Sequence, residues 1–320
     1  MTQTLLQPTT VAPALVHLGG HPENVVCTGW DRHDDDRFTV TALWPAGTAR
    51  HIPGHGTHCE TLVAAQTIRQ AALLLAHAEF AAPLAHAVLL RTFNFTLDPA
   101  CPLPEDEPAA LDIHVTATPT ATRGTRVTGV HLAMTLHHGP HVVGTADTAF
   151  EWIPPTVYRR LRGTHAEAVS EQPPLPAPLP PAGVGRRTAA EVLLSPTSDP
   201  RQWLLRHPFA NTVLYDHPVD HVPGLVLIEA AHQAVRHLTQ GHHSDGPAGL
   251  AGRSAHNLPL APAFHPTTTH TTFHTYVEFD QPCTLTHHST HNPLTHSTIH
   301  HVYGHQDGRP VFHTILSDEH

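Results

Sequence analysis

In residues 37–44, RFTVTALW, polar and apolar side chains alternate as far as Ala42, and the run reads as a strand. Residues 201–207, RQWLLRH, read as a second strand. Two longer stretches behave differently. Residues 62–77, LVAAQTIRQAALLLAH, and 225–238, LVLIEAAHQAVRHL, are apolar nearly all round, with polar residues at i, i+3 and i+4. That spacing predicts helices buried on most sides and carrying a single polar stripe. Residues 127–150 and 297–318 alternate again, interrupted by His138-Gly139-Pro140 and by Asp307-Gly308-Arg309, and predict two hairpins.

These elements occur twice in one order: strand, helix, strands. Gln66, Arg69 and Gln70 fall opposite Glu229, His232 and Gln233, with Gln66 and Glu229 163 positions apart and Gln70 and Gln233 likewise. A helix that is apolar on most faces needs a sheet curved around it. The predicted fold is therefore α+β, a double hotdog: two antiparallel sheets, each wrapped around a buried central helix. The segment between Ser170 and Arg186, rich in Pro, reads as a semi-extended linker. The expected division is an N-terminal hotdog domain at 1–168, a linker at 169–185 and a C-terminal hotdog domain at 186–320.

Composition narrows the chemistry. All 17 basic residues are Arg, against 27 acidic ones, for a formal charge of −10 with neutral His. Without Lys there is no phosphate-loop lysine and no Schiff base. The balance lacks the basic footprint of a nucleic-acid binder. The four cysteines, Cys27, Cys59, Cys101 and Cys283, form no C-x-x-C and suit a reducing compartment. The first residues lack the layout of a signal peptide, and no apolar run approaches the ~20 residues that span a bilayer. A soluble cytoplasmic protein with no membrane partner is expected.

Residues 214–234, LYDHPVDHVPGLVLIEAAHQA, concentrate the candidate chemistry. Pro223-Gly224 opens the helix, whose first turn presents unpaired N–H groups and a positive dipole end to a thioester carbonyl. Glu229 follows among apolar neighbours, where desolvation favours a general acid or base. His217 and His221 precede it. The alternative is that Glu229 is a core-edge carboxylate satisfied by an Arg or a backbone donor. In the first half Gln66 takes the place of Glu229; it orients but is no base. Arg69 is a cation on an apolar helix and requires an anion, either a substrate phosphate or an internal partner such as Glu229 or Glu60.

The 34 histidines are scattered over loops and both halves. His270 and His274 share a strand face, yet no compact ligand spacing and no H-E-x-x-H occurs, so no metal site is expected. No cofactor is called for.

Several blocks in order resemble the A-factor biosynthesis (AfsA) family of actinobacterial hotdog proteins. They are ALVH (14–17), DRFTVTALWP (36–45), TIRQAALLLAHAEFAAPLAH (67–86), VYRRLRG (157–163), EVLLSPTSDPRQWLLR (191–206), DHVPGLVLIEAA (220–231), YVEFDQPC (276–283) and GHQDGRPVF (304–312). The resemblance implies an acyltransferase that moves a β-ketoacyl group from acyl carrier protein to a hydroxyl of dihydroxyacetone phosphate, on the way to γ-butyrolactone signals. It implies catalytic roles for Glu229, His232 and Gln66, and substrate-binding roles for Arg69, Gln70, Gln233, His217, His221 and Gly224. The family pattern has Glu at position 66 and Arg at 232, so the chain departs from it at both. The alternatives are a degenerate homologue that only binds an acyl chain or acyl carrier protein, and a hotdog thioesterase or dehydratase. Two hotdogs in one chain form an internal pseudo-dimer, so a monomer or a homodimer is expected.

Overall fold

A computed structural model describes residues 11–52, 56–100, 103–165, 175–217, 219–241, 264–291, 293 and 297–318. The chain divides into two compact units, Met1–Ala166 with Asp216–Pro218, and Glu167–Tyr215 with Val219–His320.

The first unit holds strands β1 (Cys27–Arg32), β2 (Arg37–Trp44), β3 (Ala49–Ile52), β4 (Gly56–Cys59), helix α1 (Thr61–Ala78), β5 (Ala87–Leu97), β6 (Ala109–Arg123), β7 (Arg126–His138), β8 (His141–Ile153) and helix α2 (Pro155–Arg162). Its main sheet is antiparallel with the order β1-β2-β6-β7-β8-β5, and β3 pairs with β4 as a separate hairpin. β2 occupies the eight residues of the run that reads as a strand. Its inward Phe38, Val40, Ala42 and Trp44 are buried. Helix α1 buries Ala64, Ala65, Ile68, Ala71, Leu74 and Leu75. Burial of side chains the size of Ile or Leu is worth about 1.5–3 kcal/mol each, which holds the helix against its sheet. The Trp44 indole donates to Thr67 Oγ1 at 2.7 Å, and that hydroxyl donates to the Val63 carbonyl.

The second unit holds β9 (Leu194–Pro196), β10 (Gln202–Leu205), helix α3 (Gly224–Gly241), β11 (Thr268–Phe273), β12 (Thr284–His291), β13 (Thr298–Gln306) and β14 (Arg309–Ser317). Its antiparallel order is β9-β10-β12-β13-β14-β11. Element by element this repeats the first unit, whose β3–β4 hairpin is an insertion before the helix. Each unit is a hotdog, and the chain is a double hotdog. Asp307 and Gly308, both at positive φ, make the β13–β14 turn of the kind that matches strand twist.

The repeat begins earlier than the hydrophobic pattern indicated. A 3-10 turn at Pro13–Val16 ends on left-handed His17, and one at Pro181–Val184 ends on left-handed Gly185. Val16 and Val184 are both buried. The stretch expected as a linker thus supplies, at 181–185, part of the second unit's own framework; residues 169–174 lie outside the described residues. Proline at the first position of each turn fixes the local φ, so a Pro-rich composition here builds structure. Arg206, itself buried, donates to the carbonyls of Pro176, Ala189 and Val192, and Leu179 N–H donates to Leu194 O at 2.9 Å.

Scattered cysteines predicted reduced thiols, but Cys59 is disulfide-bonded. Sequence spacing does not report approach in space. Cys27 and Cys283 are free and buried. No helix among the described residues is long and apolar enough to cross a membrane.

Candidate functional site

The polar stripe of each helix is used first to hold the fold. Gln70 accepts N–H bonds from Val26 (2.9 Å) and Cys27 (3.3 Å) and donates to the Asn24 carbonyl (2.9 Å). Gln233 accepts from Leu193 N–H (2.8 Å) and donates to the Glu191 carbonyl (2.9 Å). Both amides are buried and clamp the backbone that leads into the first strand of their unit. Both were expected to bind substrate; instead, both ends of each amide hold backbone.

Glu229, 3% exposed, lies in the same network. Arg186 Nε donates to Oε1 at 2.8 Å, Arg186 NH2 lies 2.7 Å from Oε2, and Gln233 Nε2 donates to Oε1 at 2.6 Å. Of the two readings of Glu229, the geometry matches the carboxylate satisfied by an Arg. A base here has first to part from a bidentate guanidinium, among the stronger charge-assisted pairs. His232, one turn along α3, is 1% exposed and shares a 3.0 Å hydrogen bond with Thr269 Oγ1 on β11. Gln66 is buried on α1.

Arg69 is different. Its side chain keeps 23% exposure, and its partner is Asp216 (NH2 to Oδ2, 3.5 Å), rather than Glu60 or Glu229. NH1 also reaches the Val16 carbonyl at 3.5 Å. Both contacts sit at the outer limit of hydrogen bonding, leaving most of the five guanidinium donors available. Burial pushes the Arg69 pKa down while Asp216 pulls it up.

Asp216 uses its other oxygen on its neighbour: Oδ1 lies 2.6 Å from His217 Nδ1. Desolvation pushes this carboxyl up, but the His217 hydrogen bond and Arg69 outweigh it and hold it below the usual range. His17, at the end of the first 3-10 turn, completes the group. It shares a 2.8 Å Nε2···Nε2 hydrogen bond with His77, whose Nδ1 meets the Ala82 carbonyl at 2.7 Å. Burial lowers the His17 pKa to about 4, helped by Arg69, His77 and His217 and opposed by Asp216.

The first unit thus gathers Arg69, Asp216, His217, His17 and His77. Arg69 and His217 stand out in the sequence; Asp216, His17 and His77 do not. The signal for Asp216 was its place directly before His217. The same dipeptide recurs at Asp220-His221, with a 2.7 Å contact between Asp220 Oδ1 and His221 Nδ1, and His221 packs edge-on against Tyr276 at 4.6 Å. Gly224 opens α3 as expected.

Histidine pairs also line the second unit's sheet. His287 and His300 share a 3.0 Å contact on the inner face, and His301 and His313 a 3.2 Å contact beside Tyr303. Among the described residues no three His, Cys, Asp or Glu side chains converge as a metal site would require.

Comparison with known proteins decides the family. The A-factor biosynthesis hotdog domain matches residues 2–154 and again 168–314. The chain belongs to the A-factor biosynthesis hotdog family. It is 36% identical over 307 residues to a Streptomyces virginiae protein named 2-oxo-3-(phosphooxy)propyl 3-oxoalkanoate synthase, covering 96% of this chain and 97% of that one. It is 32% identical over 311 residues to a protein of the same name from Streptomyces coelicolor, covering 96% and 91%. Among solved structures, a putative oleoyl thioesterase from Lactobacillus plantarum superposes with a TM-score of 0.50 at 10% identity, over 89% of this chain and 96% of that one. That likeness concerns the fold.

Proposed function

We propose that the chain is an acyltransferase that joins a β-ketoacyl group, delivered as a thioester of acyl carrier protein, to the free hydroxyl of dihydroxyacetone phosphate. The product is the ester that the name of its relatives describes: a 3-oxoalkanoate on a 2-oxo-3-(phosphooxy)propyl group. The 36% identity that runs through both units to a synthase of that name is the observation that carries the reading. The partners are acyl carrier protein and a phosphorylated triose.

The chemistry asks for a cation on the acceptor's phosphate and a base at its hydroxyl. Arg69 fits the first need. It is a guanidinium with spare donors and 23% of its side chain exposed, and guanidinium forks suit phosphate oxygens.

A second reading, a homologue that binds acyl groups without transferring them, draws on the burial of Glu229 and His232 and on Gln66. One incubation separates the two. Folded protein with a β-ketoacyl thioester and dihydroxyacetone phosphate yields the phosphorylated ester by mass spectrometry if it is a transferase. It yields none above a boiled control if it only binds.

A further inference from the structure

We propose that His217 is the catalytic base of the transfer and that Asp216 is its positioning residue. The proposal rests on the acyltransfer reading and deepens it, because the sequence assigned the base to Glu229.

Three observations carry it. First, Asp216 is a buried carboxylate, 7% exposed, and it steadies an imidazole that is 42% exposed. With Nδ1 donating to Asp216 Oδ1 at 2.6 Å, the Nε2 lone pair of the neutral ring is left to accept a proton. Nε2 has no hydrogen-bond partner among the described residues. An ordered carboxylate behind a half-open imidazole is the arrangement that fixes tautomer and orientation in acid–base catalysis.

Second, the same carboxylate reaches Arg69 through its other oxygen at 3.5 Å. A base and a cation thus lie against opposite oxygens of one carboxylate. A three-carbon acceptor carries its free hydroxyl and its phosphate at opposite ends, so one molecule can meet both.

Third, the other titratable candidates are more enclosed or engaged: His221, on Asp220, is 27% exposed and packs edge-on against Tyr276. Glu229 holds Arg186 through both oxygens. His232 is buried on Thr269. His17 is bound to His77, and His77 to the Ala82 carbonyl.

His217 Nε2 takes the proton of the acceptor hydroxyl while its oxygen bonds to the thioester carbonyl carbon. The tetrahedral intermediate collapses, the carbon–sulfur bond breaks, and the thiolate leaves with the proton returned by the imidazolium. Thioester and alcohol become ester and thiol, with no external oxidant or reductant.

The test compares wild type with His217→Gln, His217→Ala and Asp216→Asn, following ester formation and thermal unfolding. Folded His217→Gln is expected to lose about 10²–10⁴-fold in kcat, with KM for dihydroxyacetone phosphate little changed. Imidazole added to His217→Ala is expected to restore transfer above its own background rate. Asp216→Asn keeps the ring in place but presents the wrong tautomer, so its kcat falls and added imidazole does not recover it. A folded His217→Gln with wild-type kcat overturns the proposal, as does a loss confined to KM, or a His217→Ala that imidazole leaves inactive. Should Gln or Ala at 217 unfold the chain, His217→Asn carries the same comparison. A wild-type protein that makes no ester is a different result: it removes the acyltransfer reading, and this proposal with it.

Discussion

Arg186 lies across both oxygens of the buried Glu229 carboxylate, at 2.8 and 2.7 Å, tying the start of the second unit's framework to the middle of its central helix. A buried pair of this kind is costly to break and cheap to replace. Removing one partner strands a charge, at about 3–5 kcal/mol, whereas apolar replacement of both partners is often neutral. Arg186→Met or Glu229→Met alone is thus expected to lower the unfolding midpoint steeply. The double variant is expected to regain most of it. Urea unfolding of the four proteins in this cycle checks the coupling, and additive losses contradict it.

The clamps made by Gln70 and Gln233 give a second expectation. Gln70→Ala removes the acceptor of the Val26 and Cys27 N–H groups and Gln233→Ala that of Leu193 N–H, at about 1–3 kcal/mol per stranded group. Gln70→Ala is expected to speed amide exchange at Val26 and Cys27, and Gln233→Ala at Leu193. Exchange unchanged at those amides would show that the clamps are not what protects them.

Acid sensitivity follows from three histidines. Burial lowers the pKa of His17, His207 and His287 to about 4 each; Arg69, His77 and His217 add to this at His17, and His300 and Arg201 at His287. The unfolded chain takes up these protons near ~6.5, while the folded chain refuses them until about pH 4. Stability is therefore complete above about pH 6.5 and drains away as pH falls toward 4, by about 1.4 kcal/mol for each tenfold difference in proton affinity. His207→Phe removes one such proton and is expected to flatten the dependence. Urea unfolding at pH 7, 6 and 5 and constant ionic strength measures it. A midpoint independent of pH in this range contradicts the assignment.

Local patterns carried the frame of the fold. β2 was legible because Phe38, Val40 and Ala42 alternate with Thr39 and Thr41, and the two helices because Ala and Leu surround a narrow polar stripe. The β13–β14 turn was legible from Asp307-Gly308. What stayed hidden depends on partners far along the chain. Pro181–Val184 looked like linker because composition alone does not show that Val184 is buried. Glu229 looked like a free base because its guanidinium lies 43 residues upstream. Arg69 was recognisable as a cation in need of an anion, but Asp216, 147 residues away, was not recognisable as that anion. Identical residue types on two equivalent stripes, Gln70 and Gln233, suit substrate contacts and a shared folding role equally, and only the backbone partners at 2.8–3.3 Å tell the two apart.

Arg69 should govern the choice of acceptor. Arg69→Ala is expected to raise KM for dihydroxyacetone phosphate by about 10²-fold, from the loss of roughly 2–3 kcal/mol of charge-assisted hydrogen bonding. Turnover of unphosphorylated dihydroxyacetone should stay as low as in wild type. Equal losses with both acceptors would show that Arg69 supports the fold rather than the phosphate.

The transfer itself is tested most directly by following one β-ketoacyl carrier-protein thioester to all its products, with and without dihydroxyacetone phosphate. Thioester loss that requires the triose phosphate, with one phosphorylated ester formed for each thiol released, is the predicted result. Thioester loss at the same rate without the acceptor, ending in free β-keto acid, would make the protein a thioesterase and contradict the account.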